Sequence, residues 1–241
     1  MLTINHLTKH YKGSSKGVTD LSLHVESGDL YAFIGHNGAG KTTTLKAITG
    51  IHDFDSGEII INGIDLRADP LACKRAFAYI PDNPDLYEYL TGIQYLNFIA
   101  DVFEVSSAER SKRIAKYADA YELTASLGDL ISSYSHGMKQ KLAIISALVH
   151  QPRLLILDEP FVGLDPKAAM VTKKLMRELC ESGGAVFFST HVLEVAEKLC
   201  NKVAIIKDGV LVAAGAMDEI VKDGESLESI FMEVVDDAKT E

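Results

Sequence analysis

Between residues 30 and 50 an apolar run, a glycine-rich turn and a helix-forming stretch follow one another, and no other part of the sequence restricts the fold as tightly. Leu30 to Ile34 reads as a buried strand, GHNGAGKT at residues 35–42 fits G-x-x-x-x-G-K-[ST], and TTTLKAIT continues as a helix that Gly50 ends. Strand, glycine loop and helix in that order are the context this pattern requires. Gly38 and Gly40 let the backbone curl so that its N–H groups converge on a phosphate, and the helix dipole adds to the attraction. Lys41 is placed to reach the terminal phosphates of a nucleotide and Thr42 to offer a hydroxyl to magnesium, with Gly35, Asn37 and Thr43 completing the candidate loop. A glycine-rich turn without a ligand is the plain alternative, and the flanking strand and helix argue against it.

A loop of this kind needs parallel strands behind it. RLLILDEP and GAVFFSTH are short continuous apolar runs ending in polar residues, the pattern of strands buried on both faces. Asp158 stands at the end of the first and can hold a metal ion, whereas Glu159, one residue on, points elsewhere and can polarise a water. An Asp-Glu pair after a strand says little alone; beside a phosphate loop it makes sense as ligand plus base. Between these strands Pro166 opens a helix and Gly183-Gly184 ends it.

The remaining segments surround this core. LTINHLTKHY, VTDLSLHVE and GEIIINGIDL read as strands, the last turning at Asn62-Gly63, and suggest an antiparallel lobe around the buried DLYAFIG strand. From residue 93 to about 150 the period becomes helical: Ile114, Tyr117, Ala118 and Tyr121 share one face, and Ser106 with Glu109 forms a capping-box pattern ahead of them. KVAIIKDGVLVAAG closes with a hairpin at Asp208-Gly209. The expected fold is α/β: a phosphate-loop core with a mostly parallel sheet, an antiparallel β lobe and an inserted helical subdomain. We assign residues 1–81 and 151–225 to the core with its β lobe, 82–150 to the helical subdomain, and the acid-rich 226–241 to a solvated C-terminal tail.

With 241 residues, 47% of them hydrophobic, the chain can bury a large core. A formal net charge of −10 argues against a broad nucleic-acid surface, which depends on clustered Lys and Arg. Cys73, Cys180 and Cys200 lie far apart and show no metal-ligand spacing. No apolar run reaches the ~20 residues of a membrane helix, and MLTINHLTKHYK lacks a signal-peptide core, so a cytoplasmic location is expected.

Taken in order, Tyr11, GHNGAGKTTT, YIPD, YSHGMKQK, LLILDEP, GLD and STH resemble the motifs of the ATP-binding subunit of an ATP-binding-cassette (ABC) transporter, most like the ATPases of bacterial two-component exporters, and the resemblance runs from about Leu2 to Glu219. It implies that Tyr11 stacks on adenine, that His191 organises the γ-phosphate and the attacking water, and that Asp82 occupies the position of the metal-linked Q-loop glutamine. It further implies that Ser135 and Gly137 of the signature segment face the γ-phosphate held by a second nucleotide-binding subunit. On this reading ATP and Mg2+ are bound between two chains. Hydrolysis then drives a separate integral-membrane permease, with this chain peripheral on the cytoplasmic face of the membrane and no nucleic acid involved.

The departures are Asp82 for glutamine, His136 for glycine and Met138 for glutamine. Each position also has an ordinary structural reading: Tyr11 as a packing aromatic, Asp82 as a turn residue in PDNP, Ser135 and Asp165 as helix caps. Two rival functions stay open from sequence: a regulatory module that holds ATP without turnover, and a mechanical ATPase acting on nucleic acid. The second requires a long coiled coil, and no heptad run separates Lys41 from Ser135.

Overall fold

Alternation on the first two strands starts the architecture. In β1 (Leu2–His10) and β2 (Gly17–Val25), paired antiparallel, Leu2, Ile4, Leu21, Leu23 and Val25 are buried and lie on one face. A computed structural model of the chain describes residues 1–11, 13, 16–222 and 224–237. β3 (Leu30–Ile34), buried along its whole length, feeds α1 (Lys41–Ile48) through the glycine loop. β4 (Ser56–Ile61) and β5 (Ile64–Asp65) turn at Asn62 and Gly63, whose φ of 52° and 82° are the two left-handed values a type I′ hairpin needs.

Asp69 caps α2 (Pro70–Ala76), which leads into β6 (Phe77–Ile80). Three helices follow with no strand between them: α3 (Gly92–Val102), α4 (Ser107–Ala120), capped by Ser106, and α5 (His136–Val149), capped by Ser135. Strand and helix then alternate through β7 (Leu154–Asp158), α6 (Pro166–Glu181), β8 (Ala185–Thr190) and α7 (Leu193–Leu199). β9 (Lys202–Lys207) and β10 (Val210–Ala216) form the last hairpin, followed by α8 (Met217–Ile220) and α9 (Leu227–Asp237).

Two sheets result. The antiparallel one runs β2-β1-β4-β5; the other runs β10-β9-β3-β8-β7-β6 and is parallel except for β10. β3 was expected inside the antiparallel lobe. It instead lies between β8 and β9, because its two apolar faces need cover on both sides. Leu30, Ala32 and Ile34 join a core shared with the helices, while Tyr31 and Phe33 join one shared with the antiparallel sheet and α1. Ile34 pairs in register with Thr190, and Asp158 with Ser189, so the carboxyl ends of three adjacent strands finish side by side. In an open α/β sheet that edge is where ligands bind.

The C-terminal expectation needs correction. Residues 227–237 are helical, Leu227 is fully buried, and Ile230 and Phe231 pack on the helix-side core, so this segment is a docked helix with an acidic outer face. Three apolar side chains at i, i+3 and i+4 outweigh the surrounding acids. Residues 238–241, also assigned to the tail, lie outside the described residues.

Candidate nucleotide site

The glycine loop wraps the mouth of a cleft of about 340 Å3 whose lining includes Tyr11, Asn37, Gly38, Gly40, Lys41, Thr42, Thr43, Asp82, Asp158 and Glu159. Gly38 and Gly40 have φ of 87° and 112°, backbone that L side chains rarely adopt. Gly35 does not line the cleft; a Cβ there would stand 2.5 Å from the Ile206 carbonyl oxygen, so it is small because β9 packs against it. Lys41 is buried, and its Nζ donates to the carbonyls of Gly35 at 2.6 Å and His36 at 3.3 Å. Burial lowers its pKa, and the nearby Glu159 and Asp158 charges oppose that shift. A buried cation held by two loop carbonyls at the root of a backbone nest suits a polyphosphate.

Asp158 is the hub of the floor. Thr42 Oγ1 donates to its Oδ2 at 2.8 Å and the buried Ser189 hydroxyl donates to its Oδ1. Glu159 adopts a left-handed φ of 48°, unusual for a glutamate, and its N–H donates to both the carbonyl and the hydroxyl oxygen of Ser189 at 3.2 Å. Its carboxylate then turns away from Asp158 toward His191, whose Nδ1 lies 2.9 Å from Oε1, and stands 3.9 Å from Lys41 Nζ. Thr42, Asp158, Ser189, Glu159, Lys41 and His191 thus form one connected polar group, contributed by the ends of β7 and β8 and the start of α1.

Magnesium fits this donor set. Thr42 and Asp158 present a hydroxyl and a carboxylate oxygen 2.8 Å apart. Among the described residues no group of three or more His, Cys, Asp or Glu could form a protein cage. One or two carboxylates, a hydroxyl and the phosphates of the substrate are how this ion is usually held. Asp82 lines the same cleft, while its Oδ1 also accepts the Asn83 N–H at 2.9 Å, as a turn residue does. Tyr79, to which sequence reasoning gave no role of its own, has a buried hydroxyl with no hydrogen-bonding partner among the described residues, and burial together with Asp158 and Asp82 raises its pKa. Ser189 was missed as well; a serine before STH's threonine carries no spacing signal of its own.

Tyr11 sits at the outer rim, half-buried, with the His52 ring edge-on at 6.1 Å and Lys9 Nζ 5.6 Å from its centroid. Ser135 and Gly137 do not line the cleft. Ser135 is exposed and its oxygen accepts the Met138 N–H at 3.3 Å, so the capping role is present. Gly137 is close enough to Gly163 that a Cβ would lie 2.9 Å from that carbonyl oxygen. His136 covers Gly163 as well, and Lys141 pairs with Asp165 at 2.8 Å, which ties the start of α5 to the loop before α6.

A phosphate loop on α1, a paired aspartate and glutamate ending β7 and a histidine after β8, joined at the carboxyl edge of a parallel sheet, define a phosphate-loop nucleoside triphosphatase. The profile of the family described as "ABC transporter" matches residues 18–162, and a second profile, of an AAA domain, matches residues 130–197. The chain is 34% identical over 239 residues to the ABC-type transporter ATP-binding protein EcsA of Bacillus subtilis, covering 97% of this chain and 96% of that one. It is 33% identical to the linearmycin resistance ATP-binding protein LnrL of the same organism, covering 91% of this chain and 70% of the other. Among solved structures, one titled "Structure of ATP binding subunit of ABC transporter" superimposes with a TM-score of 0.92 at 36% identity, covering 97% and 99% of the two chains. The chain belongs to the ABC transporter family and is an ATP-binding, ATP-hydrolysing subunit of it.

Proposed function

We propose that two nucleotide-binding chains close around ATP and magnesium, each completing the other's site, and that hydrolysis drives a separate membrane permease in the outward direction. The observation that carries this reading is the separation of the site's parts: the cleft is lined by the phosphate loop and the carboxylates, while Ser135 and Gly137 stand exposed or half-exposed away from it. A serine oxygen and a helix N-terminus left on the surface are suited to a phosphate supplied by another chain.

In this scheme the loop amides and Lys41 bind the triphosphate, and Thr42, Asp158 and Asp82 hold the metal. Magnesium, when bound by these residues, would supply charge neutralisation for the phosphates. Glu159 accepts the proton of the attacking water, its carboxylate standing beside His191 and Lys41. His191, 2.9 Å from Glu159, keeps that carboxylate oriented and presents its second ring nitrogen to the γ-phosphate. Tyr11 takes the adenine ring.

The membrane partner is supported by a patch of aromatics beside the loop that carries Asp82. Tyr87 stacks on Tyr89 at 5.9 Å and meets Phe98 at 5.6 Å, and Tyr89 is 75% exposed. Such a cluster is unusual on a free surface. No described helix is long and apolar enough to cross a membrane, and in this scheme another chain forms the pathway. The resistance function in one relative's name supports the outward direction.

Glu159→Gln tests the scheme, because the amide keeps the shape and loses the basicity. Turnover is expected to fall by at least about 100-fold with ATP binding retained, and ATP with magnesium should hold two chains together in size-exclusion measurements. A variant that stays monomeric at high concentration, or turns over normally, refutes the base assignment or the closed pair.

A further inference from the structure

We infer that α9 is a strap that positions the phosphate loop, with Phe231 holding His36, so that seating of this helix and binding of the nucleoside triphosphate are linked. The inference rests on the nucleotide site described above and adds Phe231 and His36 as positioning residues. His36 is the second residue of the loop. Its carbonyl accepts from Lys41 Nζ at 3.3 Å and from the Ala39 N–H at 3.1 Å, so its backbone belongs to the phosphate nest. Its ring meets the Phe231 ring at 6.1 Å in a T-shaped arrangement, and its Nε2 is buried with no hydrogen-bonding partner among the described residues. β9 and the Gly209 N–H brace the loop at Gly35 and Ala39, and Phe231 is the ring that meets the His36 side chain.

The other end of the strap is anchored independently. Leu227 is fully buried, its N–H donates to Glu197 Oε2 at 2.8 Å, and the Ser226 and Ser229 side chains each accept the other's backbone N–H, at 3.1 and 3.0 Å. Glu197 lies on α7, which begins just after His191. One helix therefore touches both the loop that binds phosphate and the helix that follows the γ-phosphate histidine. With Phe231 in place the His36 backbone is held before the ligand arrives, and such preorganisation raises affinity. By reciprocity, bound nucleotide must hold the helix more firmly.

Two measurements on the full chain test this. In hydrogen exchange of the wild-type protein, a non-hydrolysable ATP analogue with magnesium is expected to slow exchange in residues 227–234 as well as in the loop. In binding and turnover assays, Phe231→Ala should weaken ATP affinity by about five-fold or more while turnover at saturating ATP stays within about two-fold, and Phe231→Tyr, which keeps the ring, should restore affinity. Exchange in α9 that ignores nucleotide overturns the proposal, and that measurement needs no variant. Wild-type affinity in Phe231→Ala, even with lowered thermal stability, makes the contact mere packing and also overturns it, as does failure of the tyrosine to restore binding.

Discussion

Asp158, Glu159 and Ser189 show how much a few side chains decide at this site. The Ser189 hydroxyl donates to Asp158 while its oxygen accepts from the Glu159 N–H, so one buried group braces Asp158 and the left-handed backbone of Glu159 together. Ser189→Ala removes both hydroxyl links, leaving the Glu159 N–H bonded to the residue 189 carbonyl alone and Asp158 Oδ1 short of a partner in a buried place. Stability should fall by about 1–3 kcal/mol, read by thermal unfolding, and the maximal rate by about ten-fold as Glu159 loses its aim, with ATP affinity changing less. Equal losses in affinity and rate would show that Ser189 merely supports the fold. The sequence names Lys41, Thr42, Asp158 and Glu159 because loop pattern and strand ends are local signals. It is silent on Ser189 and Tyr79, whose parts depend on the pairing of β8 with β7 and of β7 with β6. Asp82 lines the cleft and also accepts the N–H of Asn83, the next residue in its turn.

Elements with their chemistry in one window are the ones that can be read in advance. Ser106 and Ser135 cap their helices as the residue types suggest, and Asp165 caps α6 with its carboxylate 2.8 Å from the Ala168 N–H. β6 went unread because it is a four-residue edge strand defined by a partner far along the chain, Phe77 opposite Leu154. α2 did carry a local signal, Asp69 before Pro70, and its shortness hid it. The contact between α5 and the loop before α6 has no such signal at all. His136 covers Gly163, where φ is 79° and a Cβ would meet His136 Cδ2 at 2.4 Å, and Lys141 with the Ala168 N–H holds the Asp165 carboxyl below the usual carboxylate range. Gly163→Ala is therefore expected to cost about 1–3 kcal/mol, partly from backbone and partly from the displaced ring. His136→Ala should relieve only the second part, so thermal unfolding of both single variants and the double variant should show clear non-additivity. Strict additivity would mean that the imidazole is not seated on the loop.

At the scale of the whole molecule, the connection between α5 and α6 would, in the proposed two-chain arrangement, join two jobs that belong to different nucleotides. Glu159 and Asp158 end β7 and serve the chain's own cleft, while Ser135 and Gly137 begin α5 and are absent from its lining. His136 over Gly163 and Lys141 paired with Asp165 tie the start of α5 to the loop before α6, so in that arrangement a movement after Glu159 would be passed to Ser135. Ser135→Arg separates these jobs. Its side chain stands in solvent and outside the cleft, so ATP affinity of the isolated chain should stay within about two-fold of wild type. In the closed pair the arginine occupies the space of the partner's γ-phosphate and removes a donor that acts in the transition state. A loss of about 100-fold or more in turnover is expected, with no ATP-dependent dimer even when Glu159→Gln is added to trap one. Titration of ATP against monomer, followed by size measurement with magnesium, reads the two effects apart. A large drop in monomer affinity would place Ser135 in its own chain's site, and normal turnover would mean that a single chain already contains everything hydrolysis requires.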